Sequence, residues 1–414
     1  MEIQPIEALV YNTDKVEIKD VIAPPYDVID EKYQDDLYKR SKYNIVRLIL
    51  NKGDNKYEDA KNDFDNWKDK EILIKTKKPS IFYLIQQYKN EKGKLIERKG
   101  FIARNKIEDF STKKVLPHEY TMGGPKQDRL NLVSATKAFF SQIFMVYRDD
   151  KQIIEKEILP KYLAKTPFID VCDDLNVRNI VYIIDDESDI KLIQKTLEDK
   201  TLLIADGHHR YETSMNYSKL HKENEKAKYV MSYFTNAKDE NLVIYPTHRV
   251  IEKSIEPDKI IDAVKKYYDI DKYNSKEEFL EKIEQENKKQ ITTGLILKNS
   301  NDFYVLKLKE GIKETIQAPK ELQNIDLVAL HELILKKELD FSQDELMAQK
   351  GIKYEKRESI AFDAINKGAS AVFIMAYPKM DDILNVSNAG LRMPQKSTYF
   401  YPKLLSGLVI NPLD

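Results

Sequence analysis

Residues 201–212 read Thr-Leu-Leu-Ile-Ala-Asp-Gly-His-His-Arg-Tyr-Glu. The apolar run at residues 201–205 predicts a buried strand, and the polar, glycine-free sequence after Arg210 predicts a helix that reaches about Ala227. A strand therefore passes through a tight turn into a helix. The first turn of a helix offers backbone N–H groups and the positive end of the helix dipole, so this junction favours an anion.

The side chains at this junction fit phosphoryl transfer. Gly207 lets the backbone approach a ligand closely, and His208, His209 and Arg210 add donors around it. Asp206 would repel a bare phosphate, but a carboxylate beside a phosphate can hold a magnesium ion or accept a hydroxyl proton. An ordinary surface turn remains the alternative, because Asp-Gly is a common turn sequence.

The chain as a whole has the composition of a globular protein. It has 414 residues, 42% of them hydrophobic, enough for two or three domains with sizeable cores. Lys and Arg number 68 against 69 Asp and Glu, and this balance argues against a nucleic-acid partner. Cys172 is the one cysteine, and no apolar run is long enough to cross a membrane. We expect a cytoplasmic protein without membrane or nucleic-acid partners, and its oligomeric state stays open.

Hydrophobic periodicity along the chain predicts a mixed α+β fold. Strands are predicted at residues 44–50, 80–88, 98–107, 141–147, 179–184, 201–205, 229–235, 242–250 and 370–376, and helices at 57–67, 128–140, 188–197 and 379–387. Two charged helices, a hairpin and a further helix are expected between residues 256 and 339. We assign residues 1–250 to a catalytic region and residues 251–414 to a C-terminal α+β region. We expect this second region to close the active-site cleft of the first.

Two segments outside the central junction carry special signals. Residues 115–129 mix His, Glu, Lys, Asp and Arg with Gly and Pro, which predicts a loop whose charges face a ligand, followed by a helix that Asp128 caps. Pro246 interrupts a predicted strand, so we expect an edge or a bulge that directs His248 and Arg249 to a special position.

Four of the six histidines lie in predicted loops, namely His118, His208, His209 and His248. This bias predicts one shared cleft. A zinc hydrolase using His118, His208, His209 and Asp206 is one alternative, but adjacent histidines cannot easily bind one ion and no His-Glu-x-x-His helix is present.

Phosphoryl transfer is the chemistry that we favour, because it asks the protein mainly for positioning and charge stabilisation. The expected basic and hydroxyl donors are Arg47, Arg129, His208, His209, Arg210, Arg249, Lys396, Ser397 and Thr398, and the expected acids are Asp27, Glu119 and Asp206. The sequence contains no P-loop, no protein-kinase signature and no G-x-G-x-x-G, so a kinase here must have an unusual architecture.

Five motifs together carry a family resemblance. They are Pro-Pro-Tyr-Asp-Val-Ile at 24–29, Leu-Pro-His-Glu at 116–119, Ala-Asp-Gly-His-His-Arg-Tyr-Glu at 205–212, Pro-Thr-His-Arg at 246–249 and Met-Pro-Gln-Lys-Ser-Thr at 393–398. The third resembles the phosphate-binding turn of the ParB/sulfiredoxin superfamily, and the set resembles a large family known as a domain of unknown function. The superfamily includes kinases that phosphorylate free serine with ADP, ATP or pyrophosphate, and the pyrophosphate-dependent type looks most similar.

The resemblance implies a ParB/sulfiredoxin-like mixed α/β catalytic region in which residues 207–210 hold the donor phosphates. It also implies that Glu119 or Asp206 lies near the acceptor hydroxyl or magnesium, with Asp27 as a rival base. The implied partners are L-serine and either pyrophosphate or a nucleotide, and the implied cofactor is magnesium. A nucleotide-binding switch that uses the same turn without transferring phosphate is the other alternative.

We therefore predict three classes of site residue. The catalytic class is Glu119, Asp206 and His209, with Asp206 also as the metal ligand; the phosphate-binding class is Gly207, His208, Arg210, Arg129, Lys396, Ser397 and Thr398; the substrate-binding class is Tyr26, Asp27, Asn44, Arg47, His118, His248 and Arg249.

Overall fold

The computed structural model describes residues 1–90, 93–120, 123–394 and 396–414, with the backbone alone at 123–125. The chain forms two compact units that do not follow chain order. Unit 1 comprises residues 1–117, 121–243 and 402–414, and unit 2 comprises 118–120 and 244–401. Over the described residues, no helix is both long enough and apolar enough to cross a membrane.

The described residues contain both strands and helices in quantity, as expected for α+β. The strands are β1 Ile3–Gln4, β2 Leu9–Tyr11, β3 Leu73–Lys75, β4 Ile81–Lys89, β5 Leu95–Lys106, β6 Val115–Pro117, β7 Ala138–Phe139, β8 Ile143–Tyr147, β9 Ile169–Cys172, β10 Arg178–Ile184, β11 Leu202–Asp206, β12 Tyr229–Asn236, β13 Val243–Tyr245, β14 His248–Ile251, β15 Tyr268–Tyr273, β16 Thr292–Leu297, β17 Phe303–Leu308, β18 Ile352–Glu355, β19 Ala371–Met375, β20 Tyr399–Tyr401 and β21 Asn411–Pro412. The α-helices are α1 Ile18–Val21, α2 Glu31–Arg40, α3 Val46–Ile49, α4 Lys56–Asp69, α5 Gly123–Thr136, α6 Leu159–Leu163, α7 Glu187–Leu197, α8 His208–Leu220, α9 Pro257–Tyr267, α10 Lys276–Glu286, α11 Asp326–Ala329, α12 Gln343–Ala348, α13 Glu358–Asn366 and α14 Met380–Asn388. The segment Leu330–Lys336, which continues α11, is π-helical.

Unit 1 is built on a large mixed sheet. Over the described residues its strand order is β6-β11-β8-β12-β5-β4-β10-β9. β1 lies outside this order and also pairs with β5. β11 runs parallel to β6 and antiparallel to β8, while β8 and β12 are parallel. The strands predicted at residues 80–88 and 98–107 are confirmed as β4 and β5, which pair as an antiparallel hairpin. The strand that leads into the central junction is thus an interior strand of the sheet.

Helix α4 packs as its sequence pattern predicts. Ala60, Phe64 and Trp67 are buried and belong to the apolar cluster beside the sheet. The predicted strand at residues 44–50 is wrong, because the chain forms the short helix α3 there. A buried Asn44 side chain accepts from the N–H of Val46 at 2.9 Å, which favours a helix start over the alternation of apolar residues.

The predicted loop at residues 115–129 is wrong in part. Residues 115–117 are strand β6, paired with β11, and helix α5 begins at Gly123. Asp128 therefore lies inside α5 and not at its cap; its carboxylate accepts from Lys56 at 2.7 Å and from the hydroxyl of Tyr57 at 2.8 Å. Thr121 and Met122 lie outside the described residues.

Unit 2 is built on an antiparallel sheet with the order β15-β17-β16-β19-β14-β18 over the described residues. Buried residues of α10 and α13 pack on one face, where Phe279, Ile283 and Ala361 meet Val305 and Val372. The hairpin predicted between residues 256 and 339 is confirmed by the pairing of β16 and β17. The strand predicted at residues 242–250 is split at Pro246 into β13 and β14. β14 lies between β19 and β18, so the expectation that His248 and Arg249 lie on an edge strand is wrong.

Candidate functional site

The strand-to-helix junction of unit 1 is confirmed, with its predicted helix shortened to Leu220. β11 ends at Asp206, and Gly207 adopts a φ of 93°, a left-handed conformation that favours glycine. A Cβ at this position would lie 3.0 Å from Nη2 and 3.1 Å from Cζ of Arg210. The left-handed backbone thus favours glycine at residue 207, and a side chain there would also press against the guanidinium group of Arg210.

Asp206 is held by two cations. Its Oδ2 pairs with Nη2 of Arg210 at 2.8 Å and its Oδ1 with Nζ of Lys403 at 2.5 Å. Burial by itself would raise the pKa of the Asp206 carboxyl, but the charges of Lys403 and Arg210 outweigh burial and hold the pKa well below its usual value. The carboxylate is thus ionised throughout the neutral range and is a weak proton acceptor.

Two buried polar side chains of the sheet, Arg98 and Gln86, hold the backbone at Pro402 and Lys403 so that the Lys403 side chain reaches Asp206. Nη2 of Arg98 donates to the carbonyl oxygen of Pro402 at 2.7 Å, and Nε2 of Gln86 donates to that of Lys403 at 3.3 Å. Arg98 is fully buried, and its Cζ lies 4.6 Å from the ring centroid of Phe144. Sequence reasoning missed these residues, because they are far from the motif along the chain and no local pattern marks them.

The two histidines of the turn differ in exposure. His208 is buried, whereas His209 is half-buried in the first turn of α8. Burial lowers the pKa of His209, and the neighbouring Glu212 opposes that shift only in part. His209 is therefore neutral at neutral pH and offers an imidazole N–H or nitrogen lone pair, not a positive charge. Lys126, which forms an ion pair with Glu212, supplies a nearby cation.

A second arginine of unit 1 lies beside the same turn. Arg129 donates to the carbonyl oxygen of Ile49 at 2.6 Å and pairs with Asp128, and its Cζ lies 4.1 Å from the ring centroid of Tyr26. Tyr26, Arg129 and Arg210 line one cavity of about 50 Å³, which has room for a water molecule or two but not for a substrate. Asp27, next to Tyr26, is exposed, and its charge acts on His209.

Two predicted substrate-binding residues of unit 1 make contacts within the fold. The amide of Asn44 donates to the carbonyl oxygens of Asp20 at 2.7 Å and Ile22 at 3.2 Å, and so connects residue 44 to α1 and the residue after it. Arg47 donates to the carbonyl oxygen of Tyr38 at 3.0 Å, and its Cζ lies 4.4 Å from the ring centroid of Tyr38. These contacts give both residues a role in the fold, and their role in substrate binding stays a prediction.

Unit 2 brings together a second set of predicted residues. Nε2 of the buried His118 lies 2.8 Å from Oγ1 of Thr398 and 3.8 Å from Oε1 of Glu119. The Thr398 hydroxyl donates to the same Glu119 oxygen at 3.3 Å. Residues from the motifs at 116–119 and 393–398 therefore meet in three dimensions.

Arg249 holds the backbone of the loop that carries Thr398. It is fully buried, and its Nη2 donates to the carbonyl oxygen of Lys396 at 3.4 Å, although the Lys396 side chain itself is exposed. The hydroxyl of Ser397 donates to the carbonyl oxygen of Pro394. Arg249 and Ser397 thus shape the loop that carries Thr398.

His248, which the sequence predicts to bind substrate, makes a contact within the sheet of unit 2. Its Nδ1 accepts from the N–H of Met375 at 3.2 Å inside the sheet. Burial, together with the charge of Arg249, lowers the pKa of His248 to about 4. The side chain is therefore neutral and committed to the backbone.

The described residues contain no group of three or more His, Cys, Asp and Glu side chains placed to hold a metal ion. A magnesium ion held by substrate phosphates needs fewer protein ligands than that. Asp206 suits this task poorly, because its two oxygens face the cations of Arg210 and Lys403.

Comparisons with known proteins give one family. A family model described as "Protein of unknown function (DUF1015)" matches residues 3–333. No curated protein matches the chain.

Several solved structures are similar at low identity. A free serine kinase in complex with AMP is 15% identical with a TM-score of 0.37, covering 74% of this chain and 90% of that one. A conserved hypothetical protein from Pyrococcus furiosus is 16% identical with a TM-score of 0.35, covering 73% and 93%. The C-terminally truncated SbnI of Staphylococcus aureus is 9% identical with a TM-score of 0.35, covering 75% and 87%. Similarity at this level does not establish an activity.

Proposed function

The chain belongs to the DUF1015 family, and we propose that this member is a phosphotransferase. In the proposed reaction a phosphoryl group passes from pyrophosphate or a nucleotide to the hydroxyl of free L-serine, giving O-phosphoserine. Serine and the choice of donors follow from the resemblance of the motif at 205–212 to the phosphate-binding turn of the ParB/sulfiredoxin superfamily, which includes free-serine kinases.

One observation carries the proposal: the junction between β11 and α8 is a left-handed glycine turn at the start of a 13-residue helix, with Arg210 and Lys403 fixed beside it. A helix start of this kind favours phosphate oxygens through its N–H groups and dipole. Because Asp206 locks both cations in place, little reorganisation is needed when charge develops in the transition state.

Asp27 is the general base that unit 1 supports best. A base must be reachable and must not be tied up, and Asp27 is exposed, with its charge acting on His209. Asp206 is already paired with two cations, so we assign it the role of positioning Arg210 and Lys403. The sequence analysis named Glu119 as a candidate and Asp27 as its rival, and substitution decides between these two.

The proposed step is a direct displacement. Asp27 accepts the proton of the serine hydroxyl, the serine oxygen forms a bond to the donor phosphorus, and the bond to the leaving phosphate or nucleotide breaks. Arg210 and the first turn of α8 stabilise the oxygens that gain charge, while neutral His209 donates a hydrogen bond. Magnesium, when bound to the donor oxygens, would neutralise part of their charge.

The test is direct detection of product. The full chain is incubated with magnesium, L-serine and, in separate reactions, pyrophosphate, ATP and ADP, and O-phosphoserine is measured by mass spectrometry. We expect product with at least one donor. Absence of product with all three donors from a folded chain would overturn the proposal.

Matched variants then identify the base. Asp27→Asn should lower turnover by roughly a hundredfold or more, the usual contribution of a general base. Asp36→Asn, an exposed aspartate on α2, is the control and should react like the wild type. If Glu119→Gln abolishes turnover while Asp27→Asn does not, Glu119 is the base.

A further inference from the structure

Unit 2 contains a cavity of about 560 Å³ that the proposed reaction leaves unexplained. Its volume is within the range of roughly 300–1,000 Å³ that is typical of small-molecule sites. Lysines and carboxylates line it in equal number, together with asparagine, tyrosine and serine side chains. A lining of both signs is suited to a ligand that carries both charges.

Two carboxylates of this lining form no ion pair within the described residues, although the charges of Arg249 and Lys379 act on them at longer range. Asp326 begins α11, where its Oδ1 accepts from the N–H of Leu327 at 2.7 Å, and Asp382 lies on α14. Within the described ranges, the ion pairs of the chain include neither carboxylate. The two negative charges also act on each other. Such a pair gains most from a ligand with a positive group, because that group would offset the burial of both charges.

Two lysines of the lining, Lys379 and Lys313, donate to neutral acceptors, whereas Lys289 forms an ion pair with Glu286 at 3.1 Å. Nζ of Lys379 donates to the carbonyl oxygen of Asn287 at 2.5 Å, and Nζ of Lys313 donates to the side chain of Asn324 at 2.9 Å. A ligand carboxylate makes a stronger hydrogen bond to an ammonium group than these neutral oxygens do. Lys379 and Lys313 can therefore turn toward an anionic group in the cavity.

The cavity wall is built partly from motifs that phosphoryl transfer does not use. Ser397 and Met393 line it, and the loop that carries them is held by the bond from Arg249 to the carbonyl oxygen of Lys396. Arg249 also acts electrostatically on Asp326. The motif at 393–398 thus contributes to the cavity lining, and Arg249 of the motif at 246–249 holds the loop that carries it.

We infer that the unit 2 cavity binds a small zwitterionic α-amino acid, with the ligand ammonium against Asp326 and Asp382 and the ligand carboxylate toward a lysine such as Lys379. The inference does not depend on phosphoryl transfer, since it concerns binding within unit 2.

The pH dependence of binding has a defined sign. Burial raises the pKa of Asp326 to about 6, helped by the charge of Asp382 and opposed by Arg249 and two backbone N–H groups. Tyr268, whose pKa burial raises, is within electrostatic reach of Asp326, and the charges of Lys379 and Asp381 act on Asp382. The other titratable groups of the lining are Lys289, Lys309, Lys313, Glu310, Glu314 and Tyr377. Below about pH 6 Asp326 is protonated and loses its attraction for an ammonium group, so affinity should fall as the pH is lowered.

Calorimetric titration of the full chain tests the inference without any phosphate donor. The probes are L-serine, L-alanine and L-lactate, the last of which has the carboxylate but no ammonium group. We expect both amino acids to bind and lactate to bind at least tenfold more weakly. Asp326→Asn and Asp382→Asn should each weaken amino-acid binding at least tenfold.

Two controls separate the possible outcomes. Asp344→Asn, an exposed aspartate of unit 2 outside the cavity, should bind like the wild type. Arg210→Ala should bind amino acids normally even if it makes no phosphoserine, so failure of the kinase proposal is seen separately. The inference is overturned if the wild type binds neither amino acid, or if both cavity variants, shown to be folded by circular dichroism, bind with wild-type affinity.

Discussion

Asp206 of unit 1 and Asp326 of unit 2 are the same residue type in opposite electrostatic situations. Asp206 has Arg210 and Lys403 on its two oxygens, and its pKa is held well below the usual value despite burial. Asp326 has no ion-pair partner in the described part of the chain, and burial raises its pKa to about 6. Burial acts in the same direction on both carboxyls, so the partners alone make the difference.

The contrast also separates two kinds of function. A carboxylate that is fully paired cannot easily exchange protons, but it fixes the geometry of its cations. A carboxylate without a partner costs folding free energy and is repaid when a ligand brings a positive charge. We therefore expect equivalent substitutions at the two positions to have effects of opposite sign.

Asp206→Asn should produce the largest effect. Its loss leaves Arg210 and Lys403 without their shared partner, and we expect turnover to fall roughly a hundredfold or more and the free energy of unfolding to fall by about 3 kcal/mol, the low end for a largely buried pair. Phosphoserine formation and urea unfolding measure the two quantities. Asp65→Asn, which removes the exposed pairs with Lys61 and Lys68, should cost no more than about 1 kcal/mol. Equal losses at both positions would remove the distinction.

His209→Ala should lower turnover by about a hundredfold, because it removes a donor from the first turn of α8. Stability should change little, since the ring is only half-buried. Steady-state kinetics measure the effect, with His221→Ala at the other end of α8 as the matched control. Near-normal turnover in His209→Ala, together with near-normal turnover in Asp206→Asn, would remove the turn from the active site.

Asp326→Asn should stabilise the chain at pH 8 by about 2 kcal/mol, because a raised carboxyl pKa lowers native stability above that pKa. The native state binds more protons than the unfolded state between the ordinary pKa of aspartate and about 6. Wild-type stability therefore decreases as the pH rises through this window, and the gain from Asn should disappear near pH 4, as urea unfolding at both pH values would show. Destabilisation at pH 8 would contradict the assigned pKa shift.

Gly207→Ala should produce the smallest effect, a loss of about 1–2 kcal/mol from the left-handed backbone and from displacement of Arg210. Gly53→Ala is the matched control, because Gly53 has a φ of 89° and a Cβ there would meet nothing within 4 Å. The difference between the two variants in thermal unfolding gives the cost of moving the guanidinium group. A larger loss at Gly53 would show that the contact with Arg210 does not matter.

Much of the local structure follows from the sequence pattern. The β4–β5 hairpin, helix α4 and the strand–glycine–helix junction were predictable because each depends on periodicity or turn chemistry within a short segment. The strand predicted at residues 44–50 failed because one buried amide, Asn44, sets the backbone of its neighbours. Asn44 and Arg47 donate to backbone carbonyl oxygens and His248 accepts from a backbone N–H, and no sequence pattern marks these contacts within the fold.

By itself the sequence determined the turn at Asp206 and Gly207, the chemistry of its side chains and the family to which the chain belongs. Only the tertiary structure decided what those side chains do. Lys403 pairs with Asp206 across 197 positions of the chain, and no motif encodes that pair. The physical reason is that a carboxyl group's charge state depends on burial and on the partners within a few ångströms, and both are properties of the folded chain.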